Sequence, residues 1–368
     1  MANEQDSKRT VEQVRGDIDA LDSELIQLLE RRVHLAQEIG NLKGLEKKPF
    51  FTPERERQIY ERLQEKAKGQ LGPEQLVNIF REIISAARAA EKPLTVAFWG
   101  PPGTYSNQAV EATFGHSVVA NPVNSIREVF LSVERGQSDY GVVPIENTIG
   151  GVVPETLDMF PVTNVKICAE TFIDIHHHLG TLADDLSKIE RVYAGPQPAS
   201  QCRRWLQEHI PAAQVVEVVP TSRAAEKALN DPQGAAIANR ICLDMLGLPA
   251  IAERIEDHAK NQTRFVVLGH NEPAPSGRDK TTITFHLKNR PGELYRVLGC
   301  FVDHGVNLTM IESRPSPRES FSYLFYVDMV GHREDTEVMQ AINDMRSVAS
   351  ETIILGSYPS YDEKLANR

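Results

Sequence analysis

A run of apolar residues spaced alternately three and four apart constrains this chain more than any other feature. Val11, Val14, Ile18, Leu21, Leu25, Leu28, Leu35, Ile39 and Leu42 make one stripe on a helix over about 7–44. At 1.5 Å per residue that helix is about 54 Å long, too long to stand alone, so it requires a partner. Position 32 falls in register on the stripe but carries an arginine. A guanidinium buried alone is very costly, so Arg32 is expected to face an anion. Arg15 and Lys43 flank the same stripe.

Arg15 and Arg32 are 17 residues apart, about 25 Å along a straight helix, beyond the reach of one small ligand within a single chain. An antiparallel helix from a second subunit would bring one chain's Arg15 beside the other's Arg32 and Lys43 and would cover the stripe. The expectation is a pocket for a small dianion, completed by dimerisation. Solvated flanking charges are the other reading of Arg15 and Lys43, and spacing alone leaves it open. Pro49 ends the pattern, Pro53 suits the first turn of a second helix through 68, and Gly72-Pro73 opens a third through 90. Pro93 closes an all-helical segment.

With 368 residues, two or three domains are expected. The net charge is −11 and the basic residues are interspersed with acids, which argues against nucleic acid or an anionic membrane as the main partner. The N-terminal residues are polar and no apolar run approaches the ~20 residues of a spanning helix, so the expected location is the cytoplasm. Cys168, Cys202, Cys242 and Cys300 are far apart in sequence and read as reduced thiols.

From Leu94 short apolar strands over 95–99, 140–145, 165–175, 191–193, 215–219, 235–238 and 265–268 alternate with helical patterns, which predicts an open α/β domain. Residues 271–280, with Pro273, Pro275, Ser276 and Gly277, read as a linker. Beyond it, strand 281–287, helix 291–304, strands 306–313 and 321–330, helix 334–347 and strand 352–357 give the βαββαβ order of a ferredoxin-like fold.

In the helical segment, Val14-Arg15 to Asp22, Leu28 to Lys43 and Pro53-Glu54-Arg55-Glu56-Arg57 resemble the α-helical class of chorismate mutases. The resemblance implies an intertwined all-α dimer over 1–93. Arg15, Arg32 and Lys43 would hold the two carboxylates and ether oxygen of chorismate, with Arg55 and Glu56 in support. A pericyclic rearrangement needs no nucleophile, only a clamped conformer and donors aimed at the breaking C–O bond. Glu91 stands where relatives carry Gln and continues the stripe of Leu76, Phe80, Ile84 and Ala87. Inward-facing, its protonated acid would donate to the ether oxygen and its carboxylate would repel it.

Four stretches of the α/β segment belong together. Gly100-Pro101-Pro102-Gly103-Thr104-Tyr105-Ser106 links a strand to a helical pattern, where backbone amides can cradle an anion, and it lacks the Gly-Lys-Ser/Thr ending of a nucleotide-binding loop. Pro144-Ile145-Glu146-Asn147-Thr148 ends an apolar strand, the 197–202 stretch follows another, and Asn261-Gln262-Thr263-Arg264-Phe265 opens the last. In this order and spacing they resemble prephenate dehydratase. The resemblance implies a two-lobed fold like that of periplasmic binding proteins over 94–270, no cofactor, and conversion of prephenate to phenylpyruvate. Thr263 would polarise the departing hydroxyl, with Glu146, Asn147 and Gln201 positioning substrate. Arg264 either anchors a substrate carboxylate or is a structural ion-pair partner. Consecutive side chains on a strand alternate faces, so His176, His177 and His178 are not expected to share a metal ion.

Asn289-Arg290-Pro291-Gly292-Glu293-Leu294 and Glu312-Ser313-Arg314-Pro315 resemble the ACT regulatory domain, here over 278–360. The resemblance implies phenylalanine bound between subunits, with Asn289, Gly292, Leu294, Glu312 and Ser313 in its site. Taken whole, the chain resembles the bifunctional chorismate mutase/prephenate dehydratase family. That implies chorismate and prephenate as substrates, feedback by phenylalanine, a homodimer or dimer of dimers, and neither nucleic acid nor membrane as partner. A non-catalytic amino-acid sensor is the competing class, and so is a dehydratase whose helical segment serves only as a dimerisation arm.

Overall fold

The computed structural model describes residues 9–46, 49–219, 221–288, 290–315 and 323–361. They form two compact units. One comprises the described residues up to Phe51 with Leu63–Pro93 and Gly115–Val118; the other comprises Thr52–Arg62, Leu94–Phe114 and the described residues from Val119 onward.

In the first unit α1 (Val11–Glu46) is followed by α2 (Pro53–Lys66), whose first turns belong to the second unit, and by α3 (Pro73–Glu91). Gly72 is extended, its amide donates to Gln75 Oε1 at 2.9 Å, and Pro73 has no amide hydrogen to leave unpaired in the first turn. α3 packs on the end of α1, where Gly40 is buried and a Cβ added there would come 3.0 Å from Glu91 Cβ. The rest of the α1 stripe is uncovered. Leu21, Leu25, Leu28, Leu35, Ile39 and Leu42 each keep half or more of their surface exposed.

In the second unit the strands run β1 (Thr95–Trp99), β2 (Val119–Val123), β3 (Tyr140–Asn147), β4 (Gly151–Val152), β5 (Lys166–Asp174) and β6 (His178–Thr181). They continue as β7 (Arg191–Ala194), β8 (Gln214–Glu217), β9 (Gly234–Ala238), β10 (Ala250–Ala252) and β11 (Gln262–Gly269). One sheet has the order β2-β1-β3-β11-β5, with β4 on β3, and a second has the order β10-β6-β9-β7-β8. Between them the chain crosses twice, through residues 175–177 and 253–261, and the crossings are bonded to each other: Ile175 N donates to Asn261 O and Ile255 N to His177 O. The expected two-lobed α/β architecture is present. Strands β2, β4, β6 and β10 escaped the periodicity reading, being short or carrying Pro122, Gly151 and Gly180 where apolar residues give the signal.

The last sheet uses β12 (Asp279–Leu287), β13 (Leu308–Pro315), β14 (Tyr323–Val330) and β15 (Ser350–Pro359) in the antiparallel order β13-β14-β12-β15, covered by helices Glu293–Asp303 and Thr336–Val348. This is the predicted ferredoxin-like arrangement; positions 321 and 322 of the expected strand lie outside the described residues. The first helix starts at Glu293, not Pro291, because Gly292 has φ +81. Residues 271–280 are not a free linker. Asn271 O and Oδ1 accept from the Cys168 thiol, Pro273 O from His332, and Asp279 and Lys280 are buried at the head of β12. The sheet shares a core with the first lobe through Tyr326, Leu355 and Tyr358. A Cβ at Gly356 would lie 2.1 Å from the Ile167 carbonyl oxygen, so only glycine permits that approach of β15 to β5.

Candidate active sites

Three charges of the helical unit converge at the α1–α3 contact. Arg32 and Lys43 are half-buried; Arg32 Nη1 donates to Ile83 O at 3.2 Å and Lys43 Nζ to Phe50 O at 3.3 Å. Glu91, packed beside Gly40, is near enough to feel their charges. Burial raises its pKa, and Lys43, Arg88 and Arg32 offset that only in part, so the carboxyl holds its proton to a higher pH than an exposed glutamate does. Its buried Oε2 has no hydrogen-bond partner among the described residues. Arg15, by contrast, is exposed and makes no ion pair among the described residues. Arg55 is exposed and bonds Gln58 Oε1 at 3.1 Å, whereas Glu56 is buried with the Tyr60 hydroxyl 3.5 Å from its Oε2.

The second constellation sits where the first lobe's central strands end. Strand register sets Thr263 opposite Asn147 and Arg264 opposite Glu146. The Asn147 amide is the hub. Its Nδ2 donates toward Asn261 Oδ1 at 2.8 Å, Thr263 Oγ1 at 2.9 Å and Gln262 O at 3.2 Å, and its Oδ1 accepts from the amides of Ile149 and Gly150. Thr263 is buried and accepts through its oxygen, which leaves its own O–H proton uncommitted among the described contacts. A cavity of about 480 Å³, lined by Thr148, Ile149, His258, Ala259 and Lys260, adjoins the residues on either side of this hub.

Gln201, at the end of the helix Pro196–Gln201, is oriented by a residue that the sequence reading put to no use. His177 Nε2 donates to Gln201 Oε1 at 2.7 Å. Burial lowers the His177 pKa, so the ring is neutral with its proton on Nε2. Residues 175–177 form the crossing between β5 and β6 and are not in a strand, so the alternation argument does not apply to His176 and His177, whereas His178 opens β6. His176 instead pairs with Glu256 at 2.7 Å, and Glu256 also accepts from the His177 amide. Among the described residues no three His, Cys, Asp or Glu side chains are placed to hold a metal ion. The Gly103 amide, expected to face an anion, is occupied by Asn107 Oδ1 at 3.1 Å.

Of the two readings of Arg264, substrate anchor or ion-pair partner, its contacts fit the second. It is buried, and its Nε bonds Glu170 at 2.7 Å, Nη1 Asp328 at 2.5 Å and Nη2 the Tyr358 hydroxyl at 2.9 Å, while Glu146 is 3.9 Å away. All three nitrogens are engaged by the protein, which is the ion-pair arrangement. Lys280 adds a second cation to Glu170 at 3.0 Å, and Ser360 Oγ a hydroxyl at 3.0 Å. Glu170 and Asp328 belong to no local motif that would mark them in the sequence.

At the last domain's helix start, Lys288, Arg290, Glu293, Arg296 and Ser350 are among the residues lining a cavity of about 390 Å³. Gly292 caps this helix, Leu294 packs on the domain core, Glu312 is half-buried and Ser313 exposed; Asn289 lies outside the described residues. Arg314, next in the Glu312 motif, pairs with Asp158 at 2.9 Å.

Known proteins match this layout over most of its length. Family models described as chorismate mutase type II, prephenate dehydratase and ACT domain match residues 14–92, 96–273 and 281–346. A bifunctional chorismate mutase/prephenate dehydratase of Aquifex aeolicus (strain VF5) is 42% identical over 353 residues, covering 95% of this chain and 98% of its own. One from Stutzerimonas stutzeri is 39% identical, covering 94% and 96%. A solved structure of a prephenate dehydratase from Arthrobacter aurescens in complex with L-Phe is 32% identical with a TM-score of 0.69, covering 73% of this chain and 91% of that one. No helix among the described residues is long and apolar enough to cross a membrane.

Proposed function

The chain belongs to the bifunctional chorismate mutase/prephenate dehydratase family, and from that premise we propose that its helical unit rearranges chorismate to prephenate and its two-lobed domain converts prephenate to phenylpyruvate, with phenylalanine as feedback inhibitor. The rearrangement is unimolecular. Arg32 and Lys43 of one subunit, with Arg15 of a second, clamp the dianion in its compact conformer, and Lys43 and protonated Glu91 donate to the ether oxygen as the C–O bond breaks. The uncovered stripe on α1 supports a second copy of this chain as partner, in a homodimer or dimer of dimers.

In prephenate the driving force is aromatisation, and the difficult part is departure of hydroxide. One observation carries the assignment of the second site: Thr263 Oγ1 accepts from Asn147, and accepting a hydrogen bond polarises its own O–H toward the leaving oxygen. Glu146 and Gln201 position the substrate, Gln201 held by neutral His177. Phenylalanine is read at Gly292, Leu294, Glu312 and Ser313, with Asn289. It inhibits by favouring a state of the enzyme with lower activity.

The test follows one preparation from chorismate to phenylpyruvate, with and without phenylalanine. Thr263→Ala is expected to lower dehydratase turnover by about 10²-fold or more while prephenate still accumulates at the wild-type rate. Equal loss of both activities would contradict separate sites, and binding of chorismate without turnover would favour a sensor.

A further inference from the structure

We propose that Asn261 is a second hydrogen-bond donor to the hydroxyl that leaves prephenate, acting beside Thr263. Asn261 is 2% exposed. Its Oδ1 accepts from Asn147 Nδ2 at 2.8 Å, which fixes the sense of its carboxamide. Its Nδ2 is buried and has no hydrogen-bond partner among the described residues. A buried amide that donates to nothing is costly, and an acceptor arriving with the substrate removes that cost.

Position identifies the acceptor. One nitrogen, Asn147 Nδ2, bonds both Asn261 Oδ1 and Thr263 Oγ1, so a single side chain holds the Asn261 carboxamide and the Thr263 hydroxyl. Lys260, which lines the 480 Å³ cavity, precedes Asn261 in the chain. The proposal places the oxygen that takes the Thr263 proton in a hydrogen bond within reach of the Asn261 amide as well. In the reaction the ring C–O bond breaks and its electron pair stays with the oxygen. The bond to the ring carboxylate breaks, its pair completes the aromatic ring, and CO2 departs. The oxygen takes up one solvent proton, relayed through the Thr263 hydroxyl, and leaves as water. Asn261 transfers no proton; its N–H stabilises negative charge that exists only as the C–O bond opens.

That timing makes the assignment testable through kcat. Asn261→Asp keeps an oxygen for Asn147 but replaces the donor by a titrating carboxyl. At pH 8 dehydratase kcat is expected to fall about 10²-fold with KM little changed, and to recover as the pH is lowered and the neutral acid donates again. Mutase activity of the same preparation and its unfolding temperature serve as controls. A kcat within twofold of wild type, a loss equal at every pH, or a rise in KM alone would overturn the proposal. Should Asn261→Asp not fold, Asn261→Ser, whose hydroxyl still accepts from Asn147, carries the test: lowered kcat at unchanged unfolding temperature supports it and wild-type kcat overturns it. The proposal rests on Thr263 as the first donor. If Thr263→Ala keeps its turnover, that reading of the site fails; if only the Asn261 variants are silent, this inference fails alone.

Discussion

Arg32 and Arg264 are both arginines in apolar surroundings, and the chain treats them oppositely. Arg264 is 5% exposed and each of its three nitrogens meets a fixed partner on β5, β14 or β15. Arg32 stays half-buried on a helix whose apolar stripe faces outward, with a backbone carbonyl at 3.2 Å and a glutamate of raised pKa nearby. A buried cation bonded to three strands holds elements together, and the proposed role of Arg32, on a helix with an uncovered apolar stripe, is to meet a ligand beside a second chain. The distinction lies in what surrounds the charge, not in the charge.

The largest effect that would break this contrast lies at Arg264. Arg264→Met leaves Asp328 without its cation in a dry core and is expected to cost about 3–5 kcal/mol in urea unfolding of the second unit. A cost below about 1 kcal/mol would show that the network is dispensable. Its pH dependence carries a sign. Burial alone would raise the pKa of Glu170, but Arg264 and Lys280 outweigh it and hold the carboxyl below its ordinary 4.5. A depressed folded pKa gives stability that is present above about pH 4.5 and lost as pH falls through the folded value. The wild-type protein should therefore lose stability steeply in acid, and the variant along a shallower limb.

Next in size is the shared pocket of the helical unit. Arg32→Ala and Arg15→Ala are each expected to lower mutase turnover by about 10²–10³-fold with the dehydratase unaffected. Mixing the two inactive proteins under conditions of subunit exchange should restore activity to roughly a quarter of wild type, because each mixed dimer rebuilds one intact site. No recovery in proven mixed dimers would place Arg15 and Arg32 in separate functions.

Much of this was legible because periodicity and turn chemistry are local. The α1 stripe, the prolines that open α2 and α3, and the alternation through β12 to β15 each lie within a few residues of one another. Thr263 and Asn147 were found by motif, but their hydrogen bond joins positions that only the β3–β11 register brings together. The same holds for Glu170 and Asp328 around Arg264, and for His177 behind Gln201. Each is a single polar residue whose partner is distant in sequence, and no spacing rule encodes such a pair. The 271–280 segment failed differently. Its Pro, Ser and Gly content signals irregular backbone correctly, but irregular backbone is not free backbone when Cys168 and His332 bond to it.

The smallest effect separates Glu91 from an ordinary helix-end carboxylate. It feels the charges of Lys43, Arg88 and Arg32, yet burial keeps its pKa raised in spite of them. The protonated acid donates to the ether oxygen and the anion repels it, so mutase activity should be greater on the acid side of that pKa and decline as pH rises through it. Glu91→Gln supplies a donor at every pH. Its mutase profile should be flat across the same range and exceed wild type by a few-fold at the alkaline end, with the dehydratase profile unmoved. A variant profile that keeps the wild-type decline would remove Glu91 from the reaction, and the decline would then belong to another group in the pocket.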